Sequence, residues 1–337
     1  MSRSVFVIAE AGVNHNGDVA LAERLVDVAA ASGADAVKFQ TFHAERLVSL
    51  HAAKARYQQD TTPAGESQFE MIRKLELSHE AHARLAARAR AAGVAFISTP
   101  FDHESVDLLA ALDVPLFKVP SGEVTNLPLL EHIGRMGKPV ILSTGMSSLG
   151  EVETAVDTLV RAGAKALTLL HCTSSYPAEP DDVNLRAMLT MQQAFRLPVG
   201  YSDHTLGLEV ALAAVALGAC VIEKHFTLDP ALPGPDHRAS LPPEELTRLV
   251  TGIRTVERAL GDGVKRSMPG EADVRAIARR SVVAARDLTA GTVLTAADVA
   301  LKRPGTGLPP SAVAWLIGRT LRRDLAADEL LTTEALR

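Results

Sequence analysis

At 337 residues the chain exceeds one ordinary domain, and an α/β barrel of about 200–250 residues with a small appendage is a natural partition. Apolar residues make up 47%, enough for a large core, and the net charge of -5 with mixed signs offers no basic field to a nucleic acid. No Lys/Arg block with interleaved aromatics is found, which disfavours a polymer-binding role.

Val5 to Ala9 is an apolar run of buried-strand type that stops at Glu10. It is too short for a signal sequence or a membrane span, and a cytoplasmic protein is expected. A polar loop from Ala11 to Gly17 and a helix from about Asp18 to Ser32, closed by Gly33, follow. Ala36 to Gln40 reads as the second strand. Its Lys38 and Gln40 share one face at period two, and a lysine facing a barrel interior needs an anion or a carboxylate. The irregular stretch from Thr41 to Leu77, with a helical turn near Phe69 to Leu75, exceeds the usual strand-to-helix loop. It predicts a lid or a substrate-covering excursion, with surface decoration as the alternative.

The same unit then recurs. A helix from Ser78 to Gly93 precedes a third strand, Val94 to Pro100, with Thr99 at its exit. A helix from Asp102 to Leu112 leads into Pro115 to Glu123, which carries Lys118, Ser121 and Glu123. Lys138 to Gly145 is the fifth strand, and Ser148 with Glu151 has capping-box spacing at the head of a helix stopped by Gly163. Ala166 to Thr173 is the sixth strand and leads to Tyr176. Val199 to Thr205 and Val221 to Phe226, joined by an Ala-rich helical segment ending at Gly218, are the seventh and eighth. A parallel pair connected in this way ends at one edge, which places His204 and His225 close together with Asp203 and Glu223 beside them. Two imidazoles and a carboxylate there suggest a divalent-metal site; the alternative is a pair of strand-capping histidines bonded to carbonyls. Cys172 and Cys220 fall inside strand-like runs and read as buried thiols. Eight strands with polar exits predict a (β/α)8, or TIM, barrel with its active site on one rim.

Gly261 to Gly263 ends the barrel, so domains are expected at 1–262 and 278–337, with a linker at 263–277. In the second module Arg286 to Ala290 with Leu294-Thr295 recurs as Arg323 to Ala327 with Leu331-Thr332 at a constant offset, which predicts a duplicated β unit with pseudo-two-fold symmetry. Lys302 to Gly307 is a glycine-rich basic loop.

Lys38, Lys118, Ser121, Ser202, Thr99 and Gln40 form a set suited to a small dianion such as a phosphate ester. Each lysine is also a candidate Schiff-base nucleophile, or a charge partner of Glu10, Glu123 or Glu223. With a metal on two histidines, the residues favour a metal-assisted lyase or transferase acting on a carbonyl beside a phosphorylated substrate.

The segments Ile8–Gly17, Val37–Gln40, Ser98–Phe101, Lys118–Glu123, Ser143–Met146, His171–Thr173 with Tyr176-Pro177, Tyr201–Thr205, Glu223–Phe226 and Pro233–Asp236 resemble, in order, the sialic acid synthase family. The C-terminal module resembles that family's antifreeze-like, or SAF, domain. The resemblance implies condensation of phosphoenolpyruvate with an N-acylated mannosamine-type aldehyde sugar to a nonulosonic acid and phosphate. Carbon C3 of phosphoenolpyruvate attacks the aldehyde, water adds to the oxocarbenium ion at C2, and phosphate leaves by C–O cleavage. Lys38, Gln40, Thr99, Lys118, Ser121, Tyr176 and Ser202 are then expected to hold phosphoenolpyruvate. His204 and His225 are expected to ligate Mn2+, Mg2+ or Co2+. Glu10 and Asp236 are expected to bind sugar hydroxyls, with Glu10 or Glu123 transferring protons.

The resemblance further implies a domain-swapped homodimer in which the SAF domain covers the partner's barrel mouth and Arg303 reaches the sugar's N-acetyl group. Ser174 stands where some members have an asparagine that contacts phosphate. The segment Lys54–Gln58 resembles the N,N'-diacetyllegionaminate branch more than the N-acetylneuraminate branch. A Schiff-base pyruvate aldolase on the same barrel is the alternative.

Overall fold

Strand-forming runs and capped helices alternate along the first 261 residues of the computed structural model, which describes residues 4–337 apart from 56, 57, 60, 61, 63 and 64. Of the Lys54–Gln58 segment, Arg56 and Tyr57 therefore lie outside the described residues. The chain divides into two compact units, Met1–Gly261 and Asp262–Arg337.

The first unit is a barrel of eight parallel strands: β1 (Phe6–Gly12), β2 (Ala36–Thr41), β3 (Ala95–Pro100), β4 (Phe117–Val119), β5 (Val140–Ser143), β6 (Leu167–Cys172), β7 (Val199–Asp203) and β8 (Val221–His225). Hydrogen-bonded order runs β3-β2-β1-β8-β7-β6-β5-β4, and β3 and β4 meet at the seam. Local chemistry sets the helix ends. Ser148 and Glu151 form a reciprocal capping box for the helix Leu149–Ala162, which Gly163 closes in the left-handed region at φ 113°. Ser78 caps His79–Ala92, and Asp18 caps Val19–Ala31.

Inside the barrel, side chains are layered. Ile8, Ala36, Ile97, Ile141, Leu170 and Val221 form an apolar plug. Two residues further along the same strands come Glu10, Lys38, Thr99, Ser143, Cys172 and Glu223, because strand side chains return to the same face at period two. The plug allows no side chain at Gly200, where a Cβ would lie 2.5 Å from the Val221 carbonyl oxygen and 2.7 Å from Leu170 Cδ2. The outer faces of the strands and the inner faces of the helices make the main core, with Phe39, Phe117, Tyr201 and Phe226 among its largest members.

Between β2 and the helix His79–Ala92 the chain makes the expected long excursion. It contains the short helices Ala44–Leu47 and Gln68–Arg73, the second opened by a Ser67/Glu70 capping box. Val13, Phe42 and Leu75, with Leu47, Ile72 and Phe101 against them, form a separate apolar cluster there.

The second unit has a small antiparallel pair, β9 (Ser281–Ala284) and β10 (Val299–Lys302), over a core containing Val282, Leu288, Leu294, Leu321, Leu325 and Leu331. Residues 263–277, read from the sequence as a linker, carry a 3-10 turn at Pro269–Glu271 and most of the helix Ala272–Ala278. The sequence echo has a structural counterpart. Leu288 and Leu325 exchange backbone hydrogen bonds of 2.9 Å each way, and Asp287 accepts from the Ala327 amide as Asp324 accepts from the Ala290 amide, both at 2.7 Å.

Candidate active site

A cavity of about 290 Å³ opens at the C-terminal ends of the barrel strands. Glu10, Lys38, Gln40, Thr99, Lys118, Ser121, Tyr176, Ser202, His204 and His225 all line it. Strand register accounts for this meeting: Glu10 stands beside Lys38 on one side and His225 on the other, and Ser202 stands beside Glu223.

The floor is an ionic network. Lys38 Nζ lies 2.9 Å from Glu10 Oε2 and 3.6 Å from Glu223 Oε2, and donates to Thr99 Oγ1 at 3.0 Å. Lys118 Nζ lies 3.3 Å from Glu223 Oε1, which also accepts from Ser202 Oγ at 2.8 Å. The lysines therefore already have carboxylate partners. Sequence reading had Glu223 only as a neighbour of the histidines or a charge partner; it is the hub, and its signal was its place two residues before His225 on one strand face.

The two carboxyls are pushed apart. Burial, reinforced by Glu223 and opposed by Lys38, raises Glu10 to about 7. Burial also works against the Glu223 carboxylate, but Lys118, Lys38 and Ser202 outweigh it and hold the group at about 2. At neutral pH Glu223 is an anion while Glu10 is poised to take or give a proton, which suits an acid–base role. A proton on Glu10 would free Lys38 for an incoming anion.

On the other side of the cavity Ser121 Oγ and Ser174 Oγ lie 3.0 Å apart. The backbone of Gly145 is pressed against them: a Cβ there would stand 2.3 Å from Ser121 Cβ and 2.5 Å from Ser174 Oγ, at a backbone φ of +43°. Ser174 thus lines the site alongside Ser121.

The imidazoles of His204 and His225 have centroids 5.6 Å apart, with the Tyr176 ring 4.3 Å from the first and 5.8 Å from the second. His204 Nδ1 is 2.7 Å from the Thr173 carbonyl oxygen, an interaction in which the ring donates, leaving Nε2 as a lone pair. The Nδ1 of His225 is buried without a hydrogen-bond partner; Asp236 Oδ2 is 4.0 Å away. Burial lowers the pKa of both rings, well below the usual value for His225, so both are neutral. Among the described residues no three or more His, Cys, Asp or Glu side chains are gathered as a ready ligand set. Two neutral imidazoles, one with an orphaned nitrogen, beside an open cavity nevertheless fit a divalent cation whose remaining ligands come from substrate and water.

Four expected residues sit elsewhere. Glu123, in the 3-10 turn Ser121–Glu123, accepts from Asn126 Nδ2 at 2.6 Å and does not line the cavity that Ser121 faces. Arg303 is exposed in the second unit, just after β10. Asp236 lines an adjoining cavity with His225, its carboxyl raised to about 6 by burial. Asp203, expected beside the histidines, is on the opposite face of β7 and pairs with the buried Lys224.

The chain is 50% identical over 331 residues to the N,N'-diacetyllegionaminic acid synthase of Campylobacter jejuni subsp. jejuni serotype O:2, covering 98% of this chain and 99% of that one. It is also 50% identical over 337 residues to the N,N'-diacetyllegionaminic acid synthase of Legionella pneumophila subsp. pneumophila, covering 99% and 95%. A crystal structure of N-acetylneuraminic acid synthetase from Leptospira borgpetersenii serovar Hardjo-bovis, in complex with citrate, superposes with a TM-score of 0.73 at 36% identity, covering 81% of this chain and 90% of that one. Residues 279–337 match the SAF domain, residues 25–265 match the NeuB family, and the chain belongs to that family.

Proposed function

We propose that this enzyme condenses phosphoenolpyruvate with 2,4-diacetamido-2,4,6-trideoxymannose to give N,N'-diacetyllegionaminate and phosphate. The reaction class follows from the family and from relatives that are synthases of this kind. The observation that carries it is the meeting, on one barrel rim, of two buried lysines and serine hydroxyls with a pair of neutral imidazoles. The half-identity to two diacetyllegionaminic acid synthases supports the choice of sugar.

In this reading Lys38, Lys118, Thr99, Ser121, Ser174, Ser202 and Gln40 bind the phosphate and carboxylate of phosphoenolpyruvate, and Tyr176 packs between substrate and imidazoles. His204 and His225 would hold Mn2+, Mg2+ or Co2+, which when bound supplies Lewis-acid polarisation of the aldehyde. Asp236 binds sugar hydroxyls. Glu10 moves the proton, a role its carboxyl suits better than that of Glu123. Carbon C3 of phosphoenolpyruvate forms the new bond to the aldehyde carbon, water adds at C2, and the C–O bond to phosphate breaks.

A homodimer, in which Arg303 of the partner chain's SAF unit reaches the N-acetyl group, and a cytoplasmic location belong to the same proposal. Among the described residues no helix is long and apolar enough to cross a membrane.

The test is phosphate release from phosphoenolpyruvate with Mn2+, offering N-acetylmannosamine and 2,4-diacetamido-2,4,6-trideoxymannose in parallel, with chelated and His204→Ala controls. Turnover of the second sugar alone is expected. Turnover of the first alone would make the chain an N-acetylneuraminate synthase. A borohydride-trapped lysine adduct with pyruvate would move the chemistry to a Schiff-base aldolase.

A further inference from the structure

Two cavities meet at the rim, and they differ in kind. The first is the charged compartment described above. The second, of about 200 Å³, shares Gln40, Phe101, Tyr176 and His225 with it and has Asp236 at the same mouth. Away from that mouth its walls are carbon and thioether: Val13, Phe42, Leu47, Met71, Ile72 and Leu75. Val13, Phe42, Met71 and Leu75 are buried, and the Phe42 and Phe101 rings pack edge to face at 6.0 Å. Gln58 also borders the space, but its side-chain oxygen already accepts from the Ala55 amide at 2.9 Å.

A satellite apolar cluster under a long excursion ordinarily serves to anchor that excursion. Among the described residues this one borders a space that runs on from the reacting end of the site, sharing Gln40, Phe101, Tyr176 and His225 with it. The shape also fixes the direction in which a substrate lies. With phosphoenolpyruvate on the lysines and the aldehyde at His225, the rest of the aldose extends past Asp236, and the carbon farthest from the aldehyde arrives among Phe42, Met71 and Leu75. A hydroxyl there would give up its water for walls that, among the described residues, are carbon and thioether apart from the already engaged Gln58. A methyl group would lose nothing.

We propose that this annex is the subsite for the terminal C6 methyl of a 6-deoxy aldose, and that Met71 and Leu75 set the preference for that methyl over a hydroxymethyl. The inference rests on the reaction proposed above and deepens it by naming the part of the sugar that is read.

The test compares two sugars that differ only at C6: 2,4-diacetamido-2,4,6-trideoxymannose and its 6-hydroxy counterpart, 2,4-diacetamido-2,4-dideoxymannose. The full-length enzyme with Mn2+ is expected to favour the deoxy sugar in kcat/KM by on the order of 10- to 100-fold, the range in which an apolar pocket rejects an added hydroxyl. Met71→Gln and, separately, Leu75→Gln are expected to bring that ratio to within a few-fold, by raising KM for the deoxy sugar while leaving KM for phosphoenolpyruvate unchanged. Met71→Leu is expected to keep the wild-type ratio. Equal use of the two sugars by the wild type would overturn the proposal, as would variants that lose activity equally on both. If neither glutamine variant folds, the wild-type ratio alone decides. Absence of phosphate release with either sugar would be a different failure, overturning the reaction itself and the annex with it.

Discussion

Lys224 Nζ lies 2.6 Å from Asp203 Oδ2 and 2.7 Å from the Thr205 carbonyl oxygen, fully buried behind the strands that carry the two imidazoles. Asp203 Oδ1 in turn accepts from the Thr205 amide and hydroxyl, at 3.0 and 2.8 Å. The residues on either side of His204 are thus tied to the residue that precedes His225. Removing one partner strands the other in the core, so Lys224→Met should cost about 3–5 kcal/mol, and Asp203→Leu a similar amount. The double variant should cost clearly less than the two combined, because it leaves no unpaired charge. Urea unfolding of the three variants checks this; strict additivity would remove the pair from the account.

From the sequence Glu10 and Glu123 are equal candidates for proton transfer; Glu10 lines the cavity and Glu123 does not. Glu10→Gln should lower kcat by about 10²- to 10⁴-fold, the usual range for a lost acid–base group, while Glu123→Gln should stay near wild type. Stability supplies an independent readout. A carboxyl whose folded pKa of about 7 lies above its ordinary value near 4.5 binds more protons in the folded state between those values. The stability it contributes is therefore present below pH 4.5 and lost as pH rises through 7. Melting temperatures from pH 5 to 8 should show wild type falling steadily relative to Glu10→Gln. A constant gap would mean that Glu10 ionises normally.

The proposed cation binding at His204 and His225 can be tested without turnover. Excess Mn2+ at about a hundred times its Kd should add about 2.7 kcal/mol to the stability of the wild type. The His204→Ala/His225→Ala variant should show no such gain. A gain that survives both substitutions would place the cation elsewhere.

Arg303→Ala should raise KM for the sugar by about tenfold, the worth of a charge-assisted hydrogen bond, with KM for phosphoenolpyruvate unchanged. Equal effects on both substrates would count against a contact with the N-acetyl group.

Much of this site was legible in the sequence because strand periodicity is strict. Ile8 and Glu10, Ala36 and Lys38, Val221 and Glu223 each repeat at two, so the polar layer above the plug could be counted off. The same rule places Asp203 on the face opposite Ser202 and His204, and its nearness to them in sequence concealed this. Glu123 stands apart from the cavity for another reason: a 3-10 turn follows β4, and strand alternation no longer applies there. The apolar annex was not readable, because Val13, Phe42 and Leu75 are far apart in the chain and are brought together by an irregular excursion with no period of its own.

The exchange of aspartates in the second unit has an evolutionary reading. Asp287 serves the amide of Ala327 and Asp324 that of Ala290, so each copy of the repeat supplies the contact that the other copy's turn needs. The unit is in effect a dimer written into one chain, as a gene duplication followed by fusion would leave it. Neither copy can drift alone: a change at one aspartate weakens the turn of its twin, and an isolated copy would regain its missing contact only by pairing with another like itself.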